Sequence, residues 1–594
     1  MHPNERTIER LLHEVQKPAR YIGGEPNEVR KDEATARILL SYPDAYEIGI
    51  SNQALQILYT MVNERTGAAA ERCYCPWPDM ADAMRREGVE LFSLERWAPA
   101  RSFDLWGITL QHELCYTNVL EMIDLAGLPL HAADRREGDP VIIAGGPCAS
   151  NPEPLALYVD AFLIGEAEDT LERLVGIMER LEGRERRMAA LANTPSVYVP
   201  AVHAPAGPAA DATPVDRAIY ADFSIDTQPR RPIVPYSSAI FNRASVEVMR
   251  GCTRGCRFCH AGTWYRPVRE RPAELVAEAG LEQLACTGYD ELSLTSLATS
   301  DYTDVDEAIR LVKEQRPDLH LSLPSNRVDT GPVAMSAAAN ARQSSITIAP
   351  EAATQRMRNI ICKTIDDEMI DGAVRAAFEQ GYTSLKTYFM IGLPRETHDE
   401  VQAIVDFGIR ARGIGREVLG DGARFTVHVS ASNFVPKPHT PFQWEGMAPR
   451  IQLIRKAQFL RREMPRQQIR LSIHDVETSM LEGALSRGSR HTARAIERAW
   501  RAGARFDAWS EMYDEQAWLT AFEAEGTTLD AEATRQFDDF EPLPWDHVRS
   551  GVSREFLLDE LWQSRAEAIT GDCRWDGCTE CGACLGPVRT KVVR

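Results

Sequence analysis

Cys252, Cys256 and Cys259 stand at C-x3-C-x2-C inside Arg250-Gly-Cys-Thr-Arg-Gly-Cys-Arg-Phe-Cys-His-Ala-Gly262. A fixed spacing of three thiols in a chain of this cysteine content arises by chance only about 0.006 times. Thiolates brought together on one short loop are soft ligands, suited to three irons of a 4Fe-4S cubane while the fourth iron keeps no protein ligand. An iron left open is a place for chemistry. The competing use of the same spacing is a zinc knuckle with His260 or a distant residue as fourth ligand. A second set closes the chain: Cys573, Cys578, Cys581 and Cys584 at C-x4-C-x2-C-x2-C, with a chance expectation of roughly 0.0001. Four thiolates satisfy either a closed structural zinc or a fully ligated auxiliary 4Fe-4S cluster, and the spacing is shared by both.

The chain that must position these groups has 594 residues, 44% hydrophobic and 26% charged, the balance of a water-soluble globular protein. That length predicts three or four domains. It holds 13 Cys, an odd number, with seven of them in the two clusters, which reads as metal usage in a reducing compartment and not as a disulfide framework. Cys73, Cys75, Cys115, Cys148, Cys286 and Cys362 are expected to be mostly buried hydrophobes. The first residues lack the basic-then-apolar pattern of a secretory signal, and no long uncharged apolar run is present, so the expected location is cytoplasmic, away from membranes. A net charge of −20 argues against indiscriminate binding to nucleic acid or anionic lipid. The basic stretch Arg461-Arg-Glu-Met-Pro-Arg-Gln-Gln-Ile-Arg470 reads as a solvated helical face.

Residues 1–35 form an N-terminal extension. Residues 36–185 alternate short apolar runs with amphipathic stretches, the pattern of a doubly wound (Rossmann-like) α/β sheet. Ala36–Tyr42, Leu105–Leu110, Val141–Ala144 and Ala161–Ile164 read as its strands, with Asn52–Asn63 as the first helix. Gly145-Gly146-Pro147 and Gly165-Glu166-Ala-Glu168 lie where such sheets bind ligands. The Pro-rich segment 186–243 reads as a linker. Residues 244–445 begin a second βα series of six strands, fitting a partial parallel (β/α)6 barrel whose chemistry lies at the carboxyl ends of its strands. Its first strand, Ser245–Met249, runs into the Cys252 loop. Residues 446–570 read as mainly helical, and 571–594 as a four-Cys metal-binding tail.

A three-Cys loop after the first strand of such a series resembles the radical S-adenosylmethionine (SAM) superfamily. The resemblance implies a 4Fe-4S cluster on Cys252, Cys256 and Cys259, the open iron chelated by the amino and carboxylate groups of SAM. One electron then cleaves SAM reductively to methionine and a 5′-deoxyadenosyl radical. It also implies a reducing partner such as flavodoxin or ferredoxin. By position, Phe258, Thr295, Ser296, Ser325, Arg327, Glu351 and Gly392 are the expected SAM contacts. Leu294-Thr-Ser296 replaces the Gly-Gly-Glu that many relatives use for the SAM amino group.

The segment 36–185 resembles the cobalamin-binding domain found before the barrel in many radical SAM enzymes. Gly145, Gly146, Gly165 and Glu166 are its expected cobalamin contacts. The Asp-x-His-x-x-Gly motif that supplies an axial imidazole is absent, its place being taken by Asp44-Ala-Tyr-Glu-Ile-Gly-Ile50. The order of parts is similar to that of an uncharacterised group of radical SAM proteins with an N-terminal cobalamin-type domain and a four-Cys tail. Three functions follow as expectations: cobalamin-dependent methyl transfer; a cobalamin-independent enzyme modifying RNA or protein, related to methylthiotransferases; and a non-catalytic iron-sulfur or electron-transfer protein.

Overall fold

The computed structural model describes residues 4–207, 212–224, 226–237, 239–324, 327, 345–584, 588 and 590. Its first sheet holds six strands: β1 (Arg37–Tyr42), β2 (Ala69–Tyr74), β3 (Leu105–Thr109), β4 (Val141–Gly145), β5 (Ala161–Leu163) and β6 (Val197–Tyr198), in the order β2-β1-β3-β4-β5-β6. The first five are parallel, and β6 runs antiparallel to β5. Central strands of a parallel sheet are covered on both faces and read as unbroken apolar runs, as Ile38, Leu39 and Leu40 do. The expected α/β doubly wound architecture is present. Its order reverses between β1 and β3, and such a switch point opens a crevice at the carboxyl ends of the strands.

Strand β2 is not apparent from the sequence because it carries Glu71 and Arg72. Both are buried. Arg72 is held by Glu95 at 2.6 Å and Glu25 at 2.7 Å, and Ser93 donates to Glu71 at 2.6 Å. Buried charge persists in a core when it is paired in this way.

A short strand β7 (Val215–Asp216) leads toward the barrel. Strands β8 (Ala244–Glu247) and β9 (Met249–Arg250) precede the thiol loop, and β10 (Arg269–Glu270) follows it, pairing antiparallel with β9. Strands β11 (Glu291–Thr295) and β12 (His320–Ser322) join β8 in a parallel sheet of order β12-β11-β8. A second parallel sheet runs β13 (Ser345–Glu351), β14 (Ser384–Ile391), β15 (Thr426–Asn433) and β16 (Ile469–Ile473). The last of these adds to the six expected strands, all of which are present. Residues 469–473 lie in a region read as helical, yet they extend the barrel series to a seventh strand beside β15. Their alternation of Ile469, Leu471 and Ile473 with Arg470 and Ser472 is a strand pattern overshadowed by the helical segments on either side.

The remaining C-terminal helices fill two jobs. Helices Val476–Ser486 and Thr492–Ala502 share a core with the first sheet, where Trp500 donates to Glu121 at 2.9 Å and Tyr158 donates to the Ala493 carbonyl at 2.7 Å. Farther on, β17 (Val548–Arg549) pairs with β7, and helix Arg554–Arg565 packs over the thiol loop. Among the described residues no helix is long and apolar enough to cross a membrane.

Candidate functional site

The thiol loop is built by its neighbours. Gly251 has φ +92°, and a Cβ there would lie 2.6 Å from the Tyr265 carbonyl oxygen, so the chain can double back only with glycine at this point. Cys259 caps helix His260–Trp264, its Sγ accepting from the Gly262 amide at 3.3 Å. Arg254 grips Asp301 through two bonds of 2.9 and 2.5 Å and reaches Asp572 at 3.2 Å. Arg257 is fully buried, paired with Glu560 at 2.9 Å and donating to the carbonyls of Asn359, Ile360 and Ala568 at 2.9–3.1 Å. Two arginines of the motif thus fix the loop while its three thiols stay partly accessible.

Those thiols sense one another. Burial, then Cys256 and Cys252, push the Cys259 thiol up to about 12. Burial also raises Cys252, with Cys256 adding to the shift and Arg327 opposing it. Without a metal Cys252 and Cys259 are held as neutral thiols, and ligation would expel their protons. Among the described residues no three His, Cys, Asp or Glu side chains are arranged to hold a single metal ion. A cubane takes its thiolates at separate corners, a wider arrangement.

The expected SAM contacts fall in three places. Glu351, at the end of β13 with φ +65°, lies close enough to Cys259 to act on its thiol, and Lys363 stands 3.8 Å away. Burial raises the Glu351 carboxyl while Lys363 opposes the shift. Arg327 acts on Cys252, and its backbone N–H donates to Ser300 Oγ at 3.1 Å. Phe258 packs against the cluster of Met357, Ile360, Leu561 and Cys581. Thr295 and Ser296 sit instead on the side facing the first sheet, the Thr295 hydroxyl 3.0 Å from Gln53 Oε1. Ser325 lies outside the described residues. At Gly392 a Cβ would meet Leu453 Cδ2 at 2.6 Å, so packing against helix Arg450–Glu463 by itself calls for glycine there.

Between the first sheet and the barrel lies a cavity of about 1440 Å³, counting space open to solvent. Its floor is Leu40, Ile108, Ile143, Leu163 and Leu171, from strands β1, β3, β4 and β5 and the helix Glu168–Arg180; Ser41, Gln53, Thr109, Gln111 and Ser296 supply hydroxyls and amides. Met249, Arg250 and Tyr265, which flank the thiol loop, form the opposite wall. Gly145, Gly146, Gly165 and Glu166 all line it. Two of these glycines answer to the backbone, however. A Cβ on Gly146 would lie 2.6 Å from the Leu110 oxygen, and one on Gly165 would lie 2.4 Å from the Ala218 oxygen.

Glu166 is also committed to protein partners. It meets Arg269 at 2.6 and 2.8 Å and Arg250 at 2.9 Å, and accepts from the Tyr220 amide at 3.0 Å. Burial resists its charge, but Arg250 and Arg269 outweigh burial and hold the carboxyl below its ordinary range. It joins sheet and barrel as well as lining the cavity. Arg250 also binds Glu168 at 2.8 Å and Glu247 at 2.8 and 2.9 Å, so the strand entering the thiol loop is tied to the cavity wall.

The four-Cys tail rests against the same loop. Arg574, 2% exposed, donates to the Asp301 carbonyl at 2.7 Å and meets Glu270 at 3.1 Å. Cys581 is buried and Cys573 partly so, whereas Cys578 and Cys584 are exposed. Burial first, then Asp572, Cys581 and Cys584, push the Cys573 thiol up to about 11 against the pull of Arg266. Arg266 is the residue that sequence reading missed. Its buried guanidinium feels the Cys581 thiol most strongly and also Cys573 and Cys252, one cation near both thiol sets. Only its place seven residues after Cys259 could have marked it.

Two family models match the chain: radical SAM proteins, N-terminal, over residues 54–200, and the radical SAM superfamily over residues 246–408. An uncharacterised protein of Methanocaldococcus jannaschii is 24% identical over 463 residues, 77% of this chain and 90% of that protein. Among solved structures, the cobalamin-dependent S-adenosylmethionine radical enzyme OxsB with aqua-cobalamin bound is 14% identical, with a TM-score of 0.49 over 95% of this chain and 85% of that one. The same enzyme with aqua-cobalamin and S-adenosylmethionine bound is 13% identical, with a TM-score of 0.48 over 89% and 79%. With its N-terminal and core segments both matched, and a three-Cys loop leaving the first strand of the second, the chain belongs to the radical SAM superfamily.

Proposed function

We propose that this radical SAM enzyme is a cobalamin-dependent methyltransferase acting on an unactivated carbon. The observation that carries the reading is the cavity at the switch point of the first sheet, walled on its far side by residues flanking the thiol loop. The lining fits a broad ligand with a flat apolar body and amide arms: aliphatic side chains below, Ser41, Gln53, Thr109 and Gln111 around. Among the described residues no histidine lines it. Tyr46, in the place of the family's axial histidine, points elsewhere, its hydroxyl bonded to Glu25 and its ring edge-on to Tyr74 at 5.3 Å. Cobalamin would therefore bind here without that imidazole.

Cys252, Cys256 and Cys259 would hold the cluster, with Glu351 and Arg327 beside it for SAM. When bound, the reduced cluster supplies one electron to SAM and cobalamin supplies the methyl group. The chain's own part is to hold the thiol loop rigid through Arg254 and Arg257 and to join it to the cavity through Arg250. Cys573, Cys578, Cys581 and Cys584 would bind an auxiliary 4Fe-4S cluster, with structural zinc as the alternative ligand.

The test is anaerobic reconstitution with iron, sulfide and hydroxocobalamin, followed by gel filtration and visible spectroscopy. About one cobalamin should travel with each chain, and reduced protein with SAM should release 5′-deoxyadenosine. If 5′-deoxyadenosine forms while no cobalamin is retained, methyl transfer is abandoned in favour of a cobalamin-independent radical reaction.

A further inference from the structure

The inner face of the four-stranded sheet carries a row of basic side chains that nothing above employs. In parallel register Lys386 of β14 stands beside His428 of β15, and His428 beside Arg470 of β16, with Thr347 of β13 completing the rung. Leu385, Thr387, Val427, Val429 and Ile469 are buried on the opposite side, most of them in the core shared with the surrounding helices. Alternation along a strand turns the rung away from that core, into the barrel. Strands in a sheet lie about 4.8 Å apart, so the backbones bearing Lys386 and Arg470 are separated by roughly 10 Å, with His428 between them.

The contacts of the row are neutral. His428 Nε2 is 3.2 Å from Ser472 Oγ, and Lys386 Nζ lies 5.8 Å from the centre of the Tyr388 ring. Burial, then the charges of Lys386 and Arg470, hold the His428 imidazole below its ordinary range, which places both cations within its reach. Glu351 stands toward the carboxyl end of the sheet, aligned with Phe389, and is engaged by Lys363 at 3.8 Å. Among the described residues neither Lys386 nor Arg470 forms an ion pair, in a chain whose net charge is −20. Two permanent cations flanked by hydroxyl and imidazole groups match a doubly charged oxyanion better than a single carboxylate.

We infer that Thr347, Lys386, His428 and Arg470 seat the phosphate group of a small phosphorylated substrate inside the barrel. Lys386 precedes the end of β14 by five residues, about 17 Å of strand, so the phosphate anchors the end of the substrate remote from the thiol loop. Binding energy gathered at a remote group is available to orient the reacting carbon. The inference rests on the radical SAM reading for its chemistry, but the binding it predicts needs no turnover.

The test is calorimetric titration of the reconstituted enzyme with inorganic phosphate, at ionic strength held constant with chloride, and with acetate in parallel. Phosphate should bind saturably and acetate should not. Arg470→Gln and the double variant K386Q/R470Q should weaken phosphate by about tenfold or more, the loss expected for each missing charge-assisted contact. The control R461Q/R462Q, on an exposed helical face, should bind as the wild type does. Circular dichroism verifies folding, and Arg470→Lys should restore part of the affinity if charge is the determinant. Equal binding by wild type and the double variant, equal binding of acetate, or no saturable phosphate binding overturns the proposal. Wild-type 5′-deoxyadenosine release is measured separately: its absence would sink the radical reading and leave the binding result standing.

Discussion

The two thiol sets of this chain are placed by different means. Cys252, Cys256 and Cys259 sit on a loop held from every side: a glycine turn before it, the β9–β10 ladder around it, a helix capped by Cys259 itself, and the paired arginines Arg254 and Arg257. The segment with Cys573, Cys578, Cys581 and Cys584 contains no helix or strand among its described residues, and two of its thiols face solvent. It is held by docking, through Arg574 and the Ser553 amide that donates to the Cys581 carbonyl at 2.9 Å. A site that must guide a reaction needs ligands fixed before any cofactor arrives, whereas a closed metal site can organise its own loop. The contrast fits the proposed reading, with reactivity at the first set and a supporting role for the second.

The largest break in this comparison comes from the first set. Cys252→Ala should abolish 5′-deoxyadenosine formation, measured chromatographically after anaerobic reduction with SAM, and lower iron by about four per chain. Next comes the anchor beneath the loop. Glu560→Gln leaves Arg257 buried without its counter-charge, and breaking such a pair costs about 3–5 kcal/mol, readable in urea unfolding of the metal-free protein. Converting Cys573, Cys578, Cys581 and Cys584 together to Ala should be milder. Only one of the four is fully buried, so metal-free stability should change by about 1 kcal/mol or less. The same variant should lose about four irons if the tail binds a cubane, or one zinc and no iron otherwise. If it loses SAM cleavage as completely as Cys252→Ala, the two sites are not unequal and the contrast fails.

How much of this was legible depends on where the partners of each residue lie. Strands β1, β3 and β4 are plain in the sequence because parallel burial demands apolar residues at successive positions, and the thiol spacings are local and rare. Strand β2 was hidden because Arg72 finds its carboxylates at Glu25 and Glu95, far from a local window. Arg257 looked like one more basic residue of a motif, since its partner Glu560 lies 303 residues on. Glu166 has partners that no local window reveals. A Gly-Glu after a strand has the signature of a ligand loop, but three arginines from the linker and barrel had to fold against it before its role as a joint could be seen.

The finest test of the comparison is Arg266, the cation that both sets share. Its Nε donates to the Gly262 carbonyl at 3.2 Å and its guanidinium lies 5.6 Å from the centre of the Phe556 ring, so the side chain is held from both ends of the interface. Burial works against its charge, while Cys581, Cys573 and Cys252 favour it, and the guanidinium is stabilised on balance. Arg266→Gln keeps an amide donor near Cys581 and removes only the charge. Iron content should be unchanged, because no thiol is lost. A nearby cation favours the more negative, reduced form of a cluster, so the variant should shift reduction to more negative potential by a few tens of millivolts, the order that follows from losing about 1 kcal/mol of charge interaction in a one-electron couple. Potentiometric titration followed by electron paramagnetic resonance separates the outcomes. A shift in the signal that Cys252→Ala removes, with the tail signal shifting too, makes Arg266 the electrostatic link between the sites. A shift confined to the tail would mean that the guanidinium serves the docked segment alone, and that the first site is insulated from the second.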